Sequence, residues 1–259
     1  MDMSSRLSPY FAAGVIGVRE VLTKVKEWNG GKHFDEGDVG VDAWVREIVF
    51  REFYRHTMIY TPHGSMNMPQ NVKFSFIEWE KDEEGWKKWC DGTTGVPFVD
   101  AGMRQLNHEA YLHNRLRMNV SSYLRANLLI DYRRGERYFA EHLIDWDMAN
   151  NTNGWEPRYA SKSPTLCCSL EADAVHSYTF FNPISQAEKC DKNGDYIRKW
   201  VPELKNVEGK AIFAPYDKLS KAEFEKLGYP KPHVNFTDTC ARAKDRYMKA
   251  THSQGAQSL

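Results

Sequence analysis

Cysteine is scarce in this chain and poorly spaced for a framework. Five occur, Cys90, Cys167, Cys168, Cys190 and Cys240, with no CxxC pair. The odd count and the lone adjacent pair support neither a disulfide scaffold, nor a zinc centre, nor a redox dithiol. They fit a reducing intracellular compartment, cytoplasm or nucleus. Long apolar runs are missing, so no membrane span is expected. The start MDMSSRLSPYF lacks the charged region and apolar core of a secretory leader. An excess of charge is missing too: 35 Lys and Arg balance 35 Asp and Glu. That excludes a dominant non-specific pull toward nucleic acid or anionic lipid and leaves room only for a local basic groove. Alternation of polar and apolar residues is rare, so little strand is expected. No internal repeat is visible.

Helical periodicity is abundant. With 41% hydrophobic residues over 259 positions, the chain can bury one large core. The pattern predicts an all-α fold in a single domain over residues 1–259, with a flexible tail at 251–259. Ser8 reads as an N-cap with Pro9 at the first helical position, opening a helix that runs through Gly14–Lys26 to Asn29-Gly30-Gly31. A second helix spans Trp44–His56, its apolar stripe being Val45, Ile48, Val49 and Phe53. Thr57–Ser75 reads as irregular. Val99–Arg104, Tyr111–Ile130 and Glu136–Asp147 read as helices, with breaks at Gly92, at Gly95 to Pro97 and at Arg134-Gly135. Asn150–Gly154 reads as a polar turn. Residues 157–183 show no clean period. Ser220–Glu223 forms a capping box for a short helix that Gly228 closes.

Several clusters carry chemistry. Ser4, Ser5, Arg6 and Ser8 place hydroxyls and a guanidinium beside a helix start, an arrangement suited to a phosphate or diphosphate. Glu47 and Arg51 lie one turn apart, as do Asn114 and Arg117. Asp145 and Asp147 flank Trp146 in an apolar stretch, where a carboxylate needs a partner, and Asn151 follows. Taken singly, each cluster also reads as a cap or a solvated ion pair. No metal is expected: no histidine or third carboxylate is spaced to join Asp145 and Asp147. The Asp191–Asp195 turn misplaces the glycine and puts Pro202 where a calcium loop needs a bidentate Glu.

Together, in order, these segments resemble the FAD-binding half of the DNA photolyase and cryptochrome family. The matching stretches are SRLSPYFAAGV (5–15), WVREIVFREFYRH (44–56), GTTGVPFVDAGMRQL (92–106), LHNRLRMNVSSYL (112–124), LLIDYRRGERYFAEHLIDWDMANN (128–151) and FNPISQAEKCDKNGDYIRKWVPEL (181–204). The resemblance implies a helical domain with a central cavity for FAD. By position, Ser4, Ser5, Arg6 and Ser8 would bind the diphosphate. Trp44, Glu47 and Arg51 would line the flavin cavity, and Asn114 and Arg117 would contact the cofactor. Asp145, paired to Arg117, and Asp147 would bind the ribityl and isoalloxazine region. Asn151 would approach the flavin N5.

The sequence also departs from that family. Its N-terminal α/β antenna domain has no counterpart in these residues. The two tryptophans that clamp a flipped-out pyrimidine dimer are replaced by Phe50 and Pro157, while Glu47 and Met118 remain at the substrate side. The photoreduction chain keeps Trp155 nearest the flavin and Trp79 at the surface end, but its middle position is Tyr132. Segment 157–180 is a divergent cavity wall. The resemblance therefore implies a FAD-binding protein impaired in dimer repair, with DNA a weakened partner. The alternative is an isomerase or cyclase of small-molecule secondary metabolism that reuses the pocket, with or without flavin. Glu47 is then the first choice for the acid–base role, with His113 among the other candidates.

Overall fold

The computed structural model describes residues 4–70, 72–156 and 180–252. Helices dominate, and no strand occurs among the described residues. The first helical stretch is two helices. α1 (Ser8–Ala12) stops short, Gly14 turns the chain at φ +71°, and α2 (Val18–Trp28) follows. Ser8 lies inside α1, whose N-cap is Leu7 without a side-chain cap bond. α3 (Val39–Tyr60) is longer than its periodicity suggests, because the Asp38 carboxylate accepts from the Gly40 and Val41 amides and starts it early. Its buried face is Val41, Val45, Ile48 and Tyr54. Val49, expected inside, is exposed, and Phe53 is half-buried. The stretch read as irregular holds two 3-10 turns, Pro62–Met66 and Val72–Phe76.

α4 (Glu83–Asp91), capped by Asp82 and ended by left-handed Gly92, leads to α5 (Pro97–Glu109). α5 is the axis of the core: Phe98, Val99, Ala101, Met103 and Leu106 are almost wholly removed from water. It packs against α4, α6 (Asn114–Ser122), α9 (Pro183–Cys190) and α10 (Asp195–Trp200). The helix predicted over Tyr111–Ile130 is interrupted. α6 begins only at Asn114, after Ala110 in the left-handed region and the His113 cap. It then widens into a π-helical turn at Tyr123–Asn127, and Leu129 ends it at φ +54°.

α7 (Tyr132–His142) runs straight through Arg134-Gly135, which its sequence marks as a break. A Cβ on Gly135 would lie 2.4 Å from the Trp155 ring, so close packing requires the glycine there. Asp147 is not in α7. It caps α8 (Met148–Trp155), which occupies the stretch read as a polar turn. Beyond residue 180, Asn182 caps α9 and Asp191 accepts from the Tyr196 and Ile197 amides. α11 (Pro215–Lys218), the boxed α12 (Lys221–Lys226) and the long α13 (Phe236–His252) complete the chain. α13 covers the π-helical turn and the Val72–Phe76 turn. The divergent 157–180 segment, except Phe180, lies outside the described residues, as do Pro157 and the end of the tail.

Candidate cofactor site

The residues before α1 are tied to α3 and to the segment just after α5. Trp44 Nε1 donates to Ser5 Oγ at 3.1 Å, and Ser4 Oγ lies 3.0 Å from the Tyr111 hydroxyl. Arg6 holds a left-handed backbone (φ 51°), uncommon for a side-chain-bearing residue. Its guanidinium ion-pairs with Glu109 at 3.2 Å and lies 5.0 Å from the Tyr111 ring centroid. Arg117 approaches that ring from elsewhere, at 5.9 Å. Tyr111 is thus flanked by two guanidiniums, a role that sequence reasoning missed because no motif marks it. Ser5, Arg6, Ser8 and Asn114 are exposed along this edge.

Arg117 is the best-defined member of the site. Its Nη2 donates to both Asp145 carboxylate oxygens, at 2.9 and 2.8 Å, and its Nε donates to the Leu112 carbonyl at 2.7 Å. Asp145 is only 7% exposed, so the pair supplies the partner that a buried carboxylate demands. Asp147 binds differently. It accepts from the Asn150 amide at 3.0 Å and from Arg55 at 3.0 Å, and Arg51 stands 4.0 Å away. Burial works to raise its carboxyl, but the Asn150 and Arg55 hydrogen bonds outweigh that and hold it below the ordinary value. Arg55 is a second residue missed by sequence reasoning, although it lies one turn beyond Arg51.

The expected pairing of Glu47 with Arg51 does not form. Arg51 turns toward Glu52 and donates to the Phe11 carbonyl at 3.1 Å. Glu47 lies one turn before Arg51 on the same helix. Its side chain keeps contact with solvent, yet partial desolvation raises its carboxyl above the ordinary value. Arg115 and Arg46 pull against that rise without cancelling it. Phe50 is half-buried on the same helix and Met118 is buried on α6. His113 accepts the Arg115 amide through Nδ1, and burial, with Arg117 and Arg115 nearby, holds its imidazole below the ordinary value. Asn151 donates to the Glu136 carboxylate at 2.9 Å and to the Glu136 carbonyl at 3.0 Å, so its side-chain nitrogen is fixed.

The aromatic residues lie beneath this surface. Trp155 and Tyr132 are buried, and Trp79 is half-buried. Tyr132 and Trp79 meet edge-on at 6.1 Å, and Trp79 meets Tyr247 at 6.0 Å. Trp155 makes its ring contacts elsewhere, with Phe139 at 4.9 Å and Trp89 at 6.1 Å. No cluster of three metal-ligating side chains occurs among the described residues, and no helix there is long and apolar enough to cross a membrane.

The donor chemistry fits FAD. Serine hydroxyls and the Arg6 guanidinium suit a diphosphate, while Arg117, Asp145, Asp147 and Asn151 present oriented donors and acceptors for a polyol and a heteroaromatic edge. Fold and site thus define an all-helical flavin-nucleotide-binding domain. The family model described as the FAD binding domain of DNA photolyase matches residues 44–249, and the chain belongs to that family, with FAD as its cofactor. A deoxyribodipyrimidine photo-lyase of Neurospora crassa is 40% identical over 258 residues, covering 96% of this chain and 40% of that protein. The Escherichia coli photo-lyase is 38% identical, covering 96% and 50%. A bacterial class III photolyase from Agrobacterium tumefaciens has TM-score 0.84 at 35% identity, covering 98% of this chain and 51% of that one. A Synechocystis cryptochrome has TM-score 0.79 at 30% identity, covering 94% and 49%. The chain therefore spans about half the length, or less, of these relatives.

Proposed function

We propose that this chain is a light-responsive FAD protein of photolyase–cryptochrome type in which repair of pyrimidine dimers is weak or lost. The observation that carries the reading is the bidentate Arg117–Asp145 pair, with Asp145 buried and Arg117 reaching back toward Tyr111 and the Ser4–Arg6 segment. A buried ion pair of this kind is held for orientation more than for stability. It keeps a carboxylate and a guanidinium in one fixed orientation.

When bound, FAD supplies blue-light absorption and one-electron chemistry. The chain's residues would orient it. Ser4, Ser5 and Arg6 hold the diphosphate, Arg117 and Asp145 fix the middle of the molecule, and Asn151, tied to Glu136, keeps one orientation toward the flavin edge. Trp155, Tyr132 and Trp79 serve as electron donors. The dimer side is weakened because Phe50 offers a smaller stacking face than tryptophan and Pro157 offers no aromatic face.

The test is the flavin content of the purified, FAD-reconstituted chain. Wild type should show flavin absorbance at near-stoichiometric occupancy. Arg117→Ala strands the buried Asp145 carboxylate, at a cost of about 3–5 kcal/mol, and should lose most of its flavin while Arg117→Lys keeps part of it. Equal flavin content in wild type and Arg117→Ala would refute the assignment.

A further inference from the structure

Three titratable side chains outside the cofactor residues meet where the chain around His233 crosses the start of α4. The His233 amide donates to the Thr94 carbonyl at 2.9 Å, which fixes the crossing. The imidazole Nε2 lies 2.8 Å from the Asp82 carboxylate, and Nδ1 lies 3.2 Å from Lys88 Nζ. Burial works to raise the Asp82 carboxyl, but hydrogen bonds from the Gly85 amide and from His233 outweigh it and hold the group below its ordinary value. Asp82 is therefore ionised at neutral pH and can only accept, so Nε2 is the donor. Nδ1 then holds a lone pair, and it meets Lys88 Nζ. The neutral Nε2–H tautomer satisfies both contacts at once. The Lys88 side chain is 32% exposed, so a small reagent can reach Nζ.

We infer that Lys88 is an acyl-acceptor site, a lysine activated by His233 toward an acyl phosphate or an acyl thioester. The order of groups is nucleophile, base and orienting carboxylate. A proton passes from Lys88 Nζ to His233 Nδ1, and the Asp82 carboxylate stabilises the imidazolium that results. The freed amine pair attacks the acyl carbonyl and forms the C–N bond. The C–O bond of the acyl phosphate, or the C–S bond of the thioester, breaks, and phosphate or thiolate leaves with that electron pair. The second amine proton goes to the leaving group or to water, and His233 returns its proton to solvent. The product is a neutral amide at Lys88.

One contact works against the step. Glu84 pairs with Lys88 Nζ at 2.6 Å and favours the ammonium form. The Glu84 side chain is 72% exposed, and an ion pair so open to water holds its partners weakly. Lys87, the next residue of α4, is exposed and supplies an internal comparison in the same molecule.

The experiment treats the full chain with acetyl phosphate or, in a separate arm, with acetyl coenzyme A, and follows acetylation of Lys88 and Lys87 over time by peptide mass spectrometry. The arm with the larger Lys88 to Lys87 ratio identifies the donor class. Wild type should acetylate Lys88 about tenfold faster than Lys87, less than the ~100-fold or more that a base supplies in a closed site. His233→Gln should bring Lys88 down to the Lys87 rate, and Asp82→Asn, which still caps α4, should lose most of the excess. Glu84→Gln should raise the Lys88 rate and leave Lys87 unchanged. These opposite shifts at one lysine separate proton transfer from loosening of the fold, which would raise both lysines together. Equal rates at Lys88 and Lys87 in wild type would overturn the inference, as would an undiminished Lys88 rate in His233→Gln. If His233→Gln fails to fold, Asp82→Asn decides, and an unchanged excess there overturns the inference equally.

Discussion

Glu47 is the residue whose role depends most on its surroundings. Sequence places it one turn from Arg51 and suggests an ion pair, yet Arg51 turns to Glu52 and Phe11. Its carboxyl lies above the ordinary value because of desolvation, against Arg115 and Arg46. A carboxyl raised in the folded state opposes folding once it ionises. The penalty is absent below the unfolded value of about 4.3, grows as pH rises toward the folded value, and is complete above it. Glu47→Gln should therefore raise the melting temperature at neutral pH and leave it unchanged near pH 4, as thermal melts across that range would read. A lower melting temperature at neutral pH would mean that Glu47 makes a stabilising contact. At this scale the Arg117–Asp145 pair was legible from residue type and family order. Tyr111, Arg55 and Glu136 were not legible, because they act only through contacts made by distant parts of the chain.

Among the elements, α7 and α8 show why boundaries were harder to read than existence. Gly135 looks like a helix breaker, and Asn150–Gly154 looks like a turn. In the fold both are helical: Asp147 supplies the cap for α8, and the Trp155 ring lies against Gly135. Propensity is a weak prior that packing overrides. The long α3, by contrast, was recognisable from its periodicity, and only its Asp38 start lay beyond the expected boundary. Gly135→Ala tests the packing. Alanine is favoured by about 1 kcal/mol in a helix interior. The added methyl would stand 2.4 Å from Trp155 and 2.6 Å from Leu124, and overpacking of that kind costs about 1–3 kcal/mol. A net loss of stability is expected, read as a lower denaturant midpoint at unchanged slope. A higher midpoint would show that α7 and α8 part easily, and that Trp155 is held less firmly than the aromatic contacts suggest.

At the scale of the whole molecule, the helical frame matches the family, while Phe50 and Pro157 stand where the resemblance would put the two clamping tryptophans. The fold's helical class was legible because helical periodicity recurs along the chain, while α5 supplies the deepest apolar face. The substrate face was legible only as a departure, in Phe50 and Pro157, since one sequence gives no geometry for segment 157–179. Zero net charge removes the general electrostatic attraction that would compensate for a weak clamp. Base stacking on an aromatic side chain contributes roughly 1–3 kcal/mol, and phenylalanine supplies only part of that. Illuminated wild type, reconstituted with FAD, should therefore leave a dimer-containing single strand essentially unrepaired. Phe50→Trp should tighten binding of that strand over its undamaged counterpart several-fold by fluorescence anisotropy, without changing flavin content. Repair by wild type at the rate of an ordinary photolyase would sink the idea of a lost clamp. Unchanged affinity in Phe50→Trp would show that position 50 does not meet the base, and that whatever this face now accepts is selected by other residues.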